Sequence, residues 1–231
     1  MAKKQISKLF AVFALSCAIM AASFVIKKNR SKIEWNGEVY DIQNVNALDA
    51  CLAHPYNKSL DRLADCILAS VIFCAALPSI LVFAFSDDKK KAFSAAFFEA
   101  LAFVTSFFCN NGVYRILKAF AGRIRPYMYF PNPSQSGIAS HDFYRSWPSG
   151  HSSTVFFAFA FLLFWFCLWH PDSKFKKPLL SLELFLCVLT MVLRLLSGNH
   201  FLTDVLSGAS IGFAISSAAI FACNRIKNDA R

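Results

Sequence analysis

The sequence predicts an all-α integral membrane protein, a bundle of about six transmembrane helices, and three observations carry that prediction. Of 231 residues, 56% are hydrophobic, 26 of them phenylalanine, and only 16% are charged, against about a quarter in a soluble domain. Apolar runs of about 18 or more residues recur along the chain, each long enough to cross a bilayer. The 24 lysines and arginines against 14 acids leave a formal charge of +10. These basic residues sit mainly in short segments between the runs, which points to orientation in a bilayer and away from nucleic acid.

The runs fall at 8–26, 65–85, 92–117, 152–169, 178–197 and 204–223. The first, after Lys3, Lys4 and Lys8, is expected to remain as an uncleaved anchor, a cleaved signal peptide being the alternative. Its length, the following Lys27, Lys28 and Arg30, and Ala14 where a lipoprotein cleavage box has leucine all favour the anchor. Neither a repeat nor a loop long enough for a second folded unit stands out. The chain is therefore expected to be one domain over 1–231: an N-terminal two-helix part with its outer loop at 1–91, core helices at 92–223, and a cytoplasmic tail at 224–231.

The N-terminus, "SDDKKK" at 86–91, "HPDSKFKKP" at 170–178 and the tail "NRIKNDAR" are short and each holds three basic residues, which places them and both termini on the cytoplasmic side. The longer 27–64 and 118–151 loops then lie outside. In the first, Ile42, Val45, Leu48 and Cys51 or Leu52 recur at helical spacing, an amphipathic helix on the membrane face or a soluble cap. In the second, Tyr127, Tyr129, Phe130, Phe143, Tyr144 and Trp147 read as an interfacial belt, or more sharply as a lid. Glu99 and Glu183, inside spans, are expected to pair with or snorkel toward Lys89–Lys91 and Lys176–Lys177 at the inner interface. The eight cysteines are scattered without a Cys-x-x-Cys pair, so neither zinc nor a disulfide framework is supported; a Cys51–Cys66 bond stays open.

Up-and-down topology puts the ends of the third and fifth helices on the same side as the starts of the fourth and sixth. Three polar segments meet there: "KAFAGRIRP", with Lys118 and Arg125 seven residues apart and on one helical face before Pro126; "PSGH", with Ser149, Gly150 and His151; and "RLLSGNHFLTD", with Arg194, His200 and Asp204. Singly, each has an ordinary explanation, as an interface anchor, a capped helix start or an N-cap. Together they read as a phosphate trap. Lys118, Arg125 and Arg194 supply fixed positive charge, and the Ser149–Gly150 helix start offers amide N–H groups to an anion. Asp204, four residues after His200, holds one imidazole nitrogen and leaves the other to attack phosphorus. His151 is the acid for the departing alcohol and then the base for water. No metal or cofactor is expected, since basic side chains and amides take magnesium's place and no carboxylate cluster is anticipated at this level.

These three segments resemble, in order, the motifs Lys-x6-Arg-Pro, Pro-Ser-Gly-His and Ser-Arg-x5-His-x3-Asp of the type 2 phosphatidic acid phosphatase superfamily, whose motifs the vanadium haloperoxidases share. The likeness covers roughly 92–223, with Leu193 where serine is usual. It implies phosphate binding by Lys118, Arg125, Ser149, Gly150 and Arg194, with His151 as general acid, His200 as nucleophile and Asp204 as its partner. The six spans look most like the bacterial lipid phosphatases of the inner membrane, with a periplasmic site and phosphatidate, phosphatidylglycerophosphate, undecaprenyl diphosphate or lipid A as substrate. The expected partners are that phosphorylated lipid and the bilayer, with no nucleic acid and no obligate protein partner. The alternatives are a catalytically silent lipid-binding or transport protein that keeps the pocket, and vanadate-dependent peroxidase chemistry.

Overall fold

A computed structural model describes residues 3–30 and 33–228. Six long helices follow one another: α1 (Lys3–Asn29), α3 (Lys58–Phe85), α4 (Lys89–Ala121), α6 (Gly150–Trp169), α7 (Lys176–Leu196) and α8 (Leu202–Asn228), with short α2 (Ala47–Cys51) and α5 (Gln135–Ala139) in the loops. All six are long and apolar enough to cross a membrane, and the protein is the expected all-helical bundle. The helices overrun the apolar runs at most ends. α3, for instance, begins at Lys58, seven residues before the expected start, because the Asn57 side chain accepts from Ser59 and Leu60 N–H and caps it.

α6 is the axis of the bundle. In its most apolar stretch 61% of the residues are buried, against 17% for α1, and α3, α4, α7 and α8 surround it while α1 packs outside on α4. The closest approach is between α6 and α8. Gly208 and Gly212 lie one turn apart on α8, and a methyl group on either would collide with the main-chain carbonyl of Ser149 or Ser153. Two glycines at this spacing let helix backbones touch, as small residues do between membrane helices. The Ser149 N–H donating to the Asp204 carbonyl at 2.9 Å locks the two helix starts together.

Several expectations are corrected here. α4 stops at Ala121, where Gly122 turns left-handed (φ +60°), four residues before Pro126, so Lys118 and Arg125 do not share a helix. The 42–52 segment is not one amphipathic helix. A 3-10 turn at Ile42–Asn44 gives way to α2, and Asn46 caps α2 by accepting from Asp49 N–H. Instead the loop is tied down as a cap, through the Tyr40 N–H on the Met128 carbonyl at 3.1 Å and through buried Asp49. Three of the 127–147 aromatics turn inward instead: Tyr127, Phe143 and Tyr144 are buried with Met128 in one cluster, with Trp35, Tyr40 and Tyr56 packed onto them. Aromatic rings that have each other to pack on gain more than they would at a lipid headgroup.

Among the described side chains, neither Glu99 nor Glu183 pairs with Lys89, Lys90, Lys176 or Lys177. Glu99 faces α6, accepts from Ser79 Oγ at 2.7 Å and Trp165 Nε1 at 2.8 Å, and lies 3.8 Å from His170 Nε2. Glu183 is fully buried, and neither carboxyl oxygen has a hydrogen-bond partner. Cys51 and Cys66 are both free thiols.

Gly212→Val is expected to push α8 off α6 and cost about 1–3 kcal/mol. A lowered thermal midpoint of the detergent-solubilised protein measures it.

Candidate active site

The three polar segments do converge. A cavity of about 530 Å³ opens at one end of the bundle and is lined by Lys118, Arg125, Gly150, His151, Arg194 and His200 among others. Two of the eight expected site residues stand behind its wall. Ser149 is buried, and its hydroxyl accepts from Ser152 N–H at 3.4 Å as the cap of α6. For this residue the ordinary reading of a capped helix start is the realised one. Asp204 is also buried and serves as a hub.

Asp204 accepts from Arg123 Nη1 at 2.5 Å, from Ser146 Oγ at 2.5 Å and from Phe201 N–H at 2.8 Å. The last of these is a reciprocal cap at the start of α8. His200 precedes the helix, so the assumed helical i,i+4 geometry does not apply. Its Nδ1 lies 3.6 Å from Asp204 Oδ2 and makes no hydrogen bond. The pair is aligned but not bonded, because Asp204 is occupied elsewhere. Burial, and after it the positive charges of Lys118, Arg125 and Arg194, hold the His200 imidazole well below its usual range, so the ring is neutral.

Each cation of the trap is held by a partner from another element. Lys118 Nζ donates to the Arg145 carbonyl at 3.0 Å. Arg125 donates through Nε to the Asp142 carbonyl at 2.9 Å and through Nη1 to Asn199 Oδ1 at 2.8 Å, while its Nη2 pairs with the Asp142 carboxylate. Arg194, at the end of α7, pairs with Asp61 of α3, and its buried Nε has no partner. His151 Nε2 lies 2.7 Å from Asp65 Oδ1, also on α3.

Aspartates thus enter the cavity from two sides, Asp61 and Asp65 from α3 and Asp142 from the 122–149 loop. They are spread over three different partners, and no group of three acidic, histidine or cysteine side chains is gathered as metal ligands among the described residues.

Sequence reasoning missed these residues for identifiable reasons. Asp61 and Asp65 stand four apart at the cavity end of α3 and so share a face; that spacing is present in the sequence but lies outside every motif. Asp142 likewise belongs to no motif. Arg123 sits inside "KAFAGRIRP" and had no role, yet it bridges Asp204 and Asp49, donates to Thr203 Oγ1 at 2.7 Å and covers the Phe201 ring at 4.5 Å. Asp49 completes the bridge by accepting from Thr203 N–H at 2.9 Å and Asn46 Nδ2 at 2.7 Å.

A model of the PAP2 superfamily matches residues 99–227 of the chain. The chain belongs to the PAP2 superfamily. The match takes in α6 and α7 whole, all but the last residue of α8 and most of α4, so all eight expected PAP2 site residues fall within it, whereas Asp49, Asp61 and Asp65 come from before it. Among curated proteins, the "Probable lipid phosphate phosphatase beta" of Arabidopsis thaliana is 30% identical over 132 residues, covering 49% of this chain and 59% of that protein. The chain thus spans somewhat over half the length of this PAP2 relative. No solved structure matches the chain.

Burial pushes the carboxyls of Asp49 and Asp142 up, but hydrogen bonds from Thr203 and Arg123 on Asp49, and the Arg125 and Lys118 charges on Asp142, bring both below the usual carboxylate range. The unfolded chain therefore binds protons that the folded one refuses. This stability is present above the ordinary carboxylate pKa of about 3.9 and is lost as pH falls through the lower folded values. Asp142→Asn is expected to flatten that acid limb, read as the thermal midpoint between about pH 2 and pH 6.

Proposed function

We propose that the chain is a membrane lipid phosphatase that works through a phosphohistidine. The observation that carries this reading is the meeting, in one cavity, of two imidazoles with Lys118, Arg125 and Arg194. The cations and the Gly150 helix start take the phosphate oxygens. The neutral His200 Nε2 attacks phosphorus, forming a P–N bond as the P–O bond to the lipid breaks. His151 gives its proton to the leaving oxygen, then takes one from the water that hydrolyses the P–N bond. Asp204 offsets the charge that grows on His200, and Asp65 orients His151. In this scheme phosphate neutralisation is the work of side chains and amides, and turnover is independent of metal. Ser149 acts by capping α6 and thereby aiming Gly150 and His151.

A lipid substrate is supported by the cavity's deeper wall, where Leu68, Ile72 and Phe107 replace the charges. The same α3–α4 face continues into a second cavity of about 480 Å³ walled by Ala76, Ile80, Phe83, Phe97, Phe103 and Val104. At about 1.5 Å per residue, Leu68 to Phe83 spans about 22 Å, the length of a lipid tail. The basic segments around Lys89–Lys90 and Lys174–Lys177 lie at the opposite end of the helices from the cavity. That supports cytoplasmic termini and an outward, periplasmic site in a bacterial-type inner membrane. Residues 92–223 form the catalytic core on this reading, and the 1–91 part contributes Asp61 and Asp65.

Phosphate release from detergent-solubilised phosphatidate, phosphatidylglycerophosphate, undecaprenyl diphosphate and lipid A, with a chelator present, tests the proposal. Release is expected to persist in EDTA; loss in EDTA with recovery on adding magnesium would overturn the mechanism. His200→Ala is expected to lower kcat at least about 10⁴-fold. Asp65→Asn is expected to lower kcat about tenfold or more with KM little changed.

A further inference from the structure

Beyond the three cations assigned to the cleaved phosphate, Lys27 at the end of α1, Arg115 on α4 and Arg145 in the 122–149 loop line the same cavity. Their state differs from that of the others. Arg125 and Arg194 are each paired with an aspartate, whereas Arg115 and Arg145 meet no carboxylate within ion-pair distance among the described residues. The Nε of each is buried without a hydrogen-bond partner, and Arg145 is only 8% exposed. Aromatic faces hold the two guanidinium groups in place of acids: Arg115 lies 5.3 Å from the Phe24 ring and Arg145 5.5 Å from the Tyr144 ring. A guanidinium that meets no carboxylate is costly to enclose and, on a cavity wall, offers its donors to an anion. Lys27 and Arg145 also line an adjoining cavity of about 420 Å³, together with Lys28 and His141, so the positive wall continues outward.

The charge balance points the same way. Six cationic side chains line the main cavity against three aspartates, an excess of three before either imidazole is counted. A phosphomonoester brings about 1.5 to 2 negative charges, which leaves part of that excess uncovered; a second phosphoryl group adds the remaining charge.

We infer that Lys27, Arg115 and Arg145 form a second anion subsite, and that the substrate carries a second phosphoryl group close to the one removed. This rests on the phosphatase reading of the neighbouring site. The second group is either joined to the first, as in a lipid diphosphate, or set off from it by a short polar linker such as glycerol. Both present the same oxyanion to the same forks.

The test uses the full chain in detergent and two substrate pairs matched in their tails: farnesyl diphosphate with farnesyl monophosphate, and phosphatidylglycerophosphate with phosphatidate. In one pair kcat/KM is expected to favour the two-phosphate member by at least about tenfold, the scale of a charge-assisted contact. In Arg115→Gln/Arg145→Gln that ratio is expected to fall toward one. A preference in the farnesyl pair places the groups side by side, and one in the glycerolipid pair places them a linker apart. No preference in either pair, or a ratio that the variant leaves intact, overturns the inference.

Lys27→Gln, on an exposed side chain, reads the same ratio without disturbing the buried arginines and is expected to lower it about threefold. Calorimetric titration with inorganic pyrophosphate and orthophosphate separates the two readings. Pyrophosphate is expected to bind at least about tenfold tighter, with the gap narrowed in the double variant. That result alongside no release from any lipid would sink the phosphatase reading and keep the subsite; equal binding of the two anions sinks the subsite.

Discussion

The contact between the α6 and α8 backbones is the constraint on which the rest of the site depends. His151 opens α6, and His200 immediately precedes α8. Glycine at 208 and 212 allows the two helix starts to come within main-chain hydrogen-bonding distance, Ser149 N–H to Asp204 carbonyl. With side chains at those positions the helices would stand farther apart and the two imidazoles would separate. A membrane interior gives helices no hydrophobic reason to associate, so close van der Waals packing has to supply the attraction. The same glycines serve stability and site geometry at once.

Given that contact, the second demand is electrostatic. Packing several arginines, a lysine and two imidazoles at one end of a bundle is unfavourable unless their charges and donors are met. The fold meets them from outside the motif helices: Asp61 and Asp65 from α3, Asp142 from the loop before α6, and Asp49 from the cap, which reaches Asp204 through Arg123. These partners aim the basic groups while the cavity stands open. They also explain why the outer loops are pinned to the bundle, the cap by Asp49 on Thr203 and Arg123, and the loop before α6 by its aromatic cluster.

The bundle itself and six of the eight residues singled out at its end, those that line the cavity, were legible in the primary structure. Length and apolarity of a run decide whether a helix can cross a bilayer, and alternation of direction then decides which helix ends meet. Local signals failed where a backbone turn or a distant partner intervened. Lys118 and Arg125 were expected to share a helix face; a left-handed Gly122 breaks that helix, and the two side chains meet in the cavity from different elements. Ser149, expected on the phosphate, caps α6 and stands behind the cavity wall. Glu99 was assigned to nearby lysines and is held instead by Ser79 and Trp165 from other helices.

The sequence by itself determined the membrane bundle, its six spans and the identity of the histidines and cations at one end, because these follow from composition, run length and topological parity. Only the tertiary structure decided which acid holds which base, that Asp204 bonds to Arg123, Ser146 and the α8 start and only faces His200, and that two guanidinium groups meet no carboxylate among the described residues. The physical reason is range. Hydrophobic span signals are written in consecutive residues, whereas charge pairing in a buried cavity is settled across helices that are far apart in the chain, at distances of a few ångströms that only the packed fold sets.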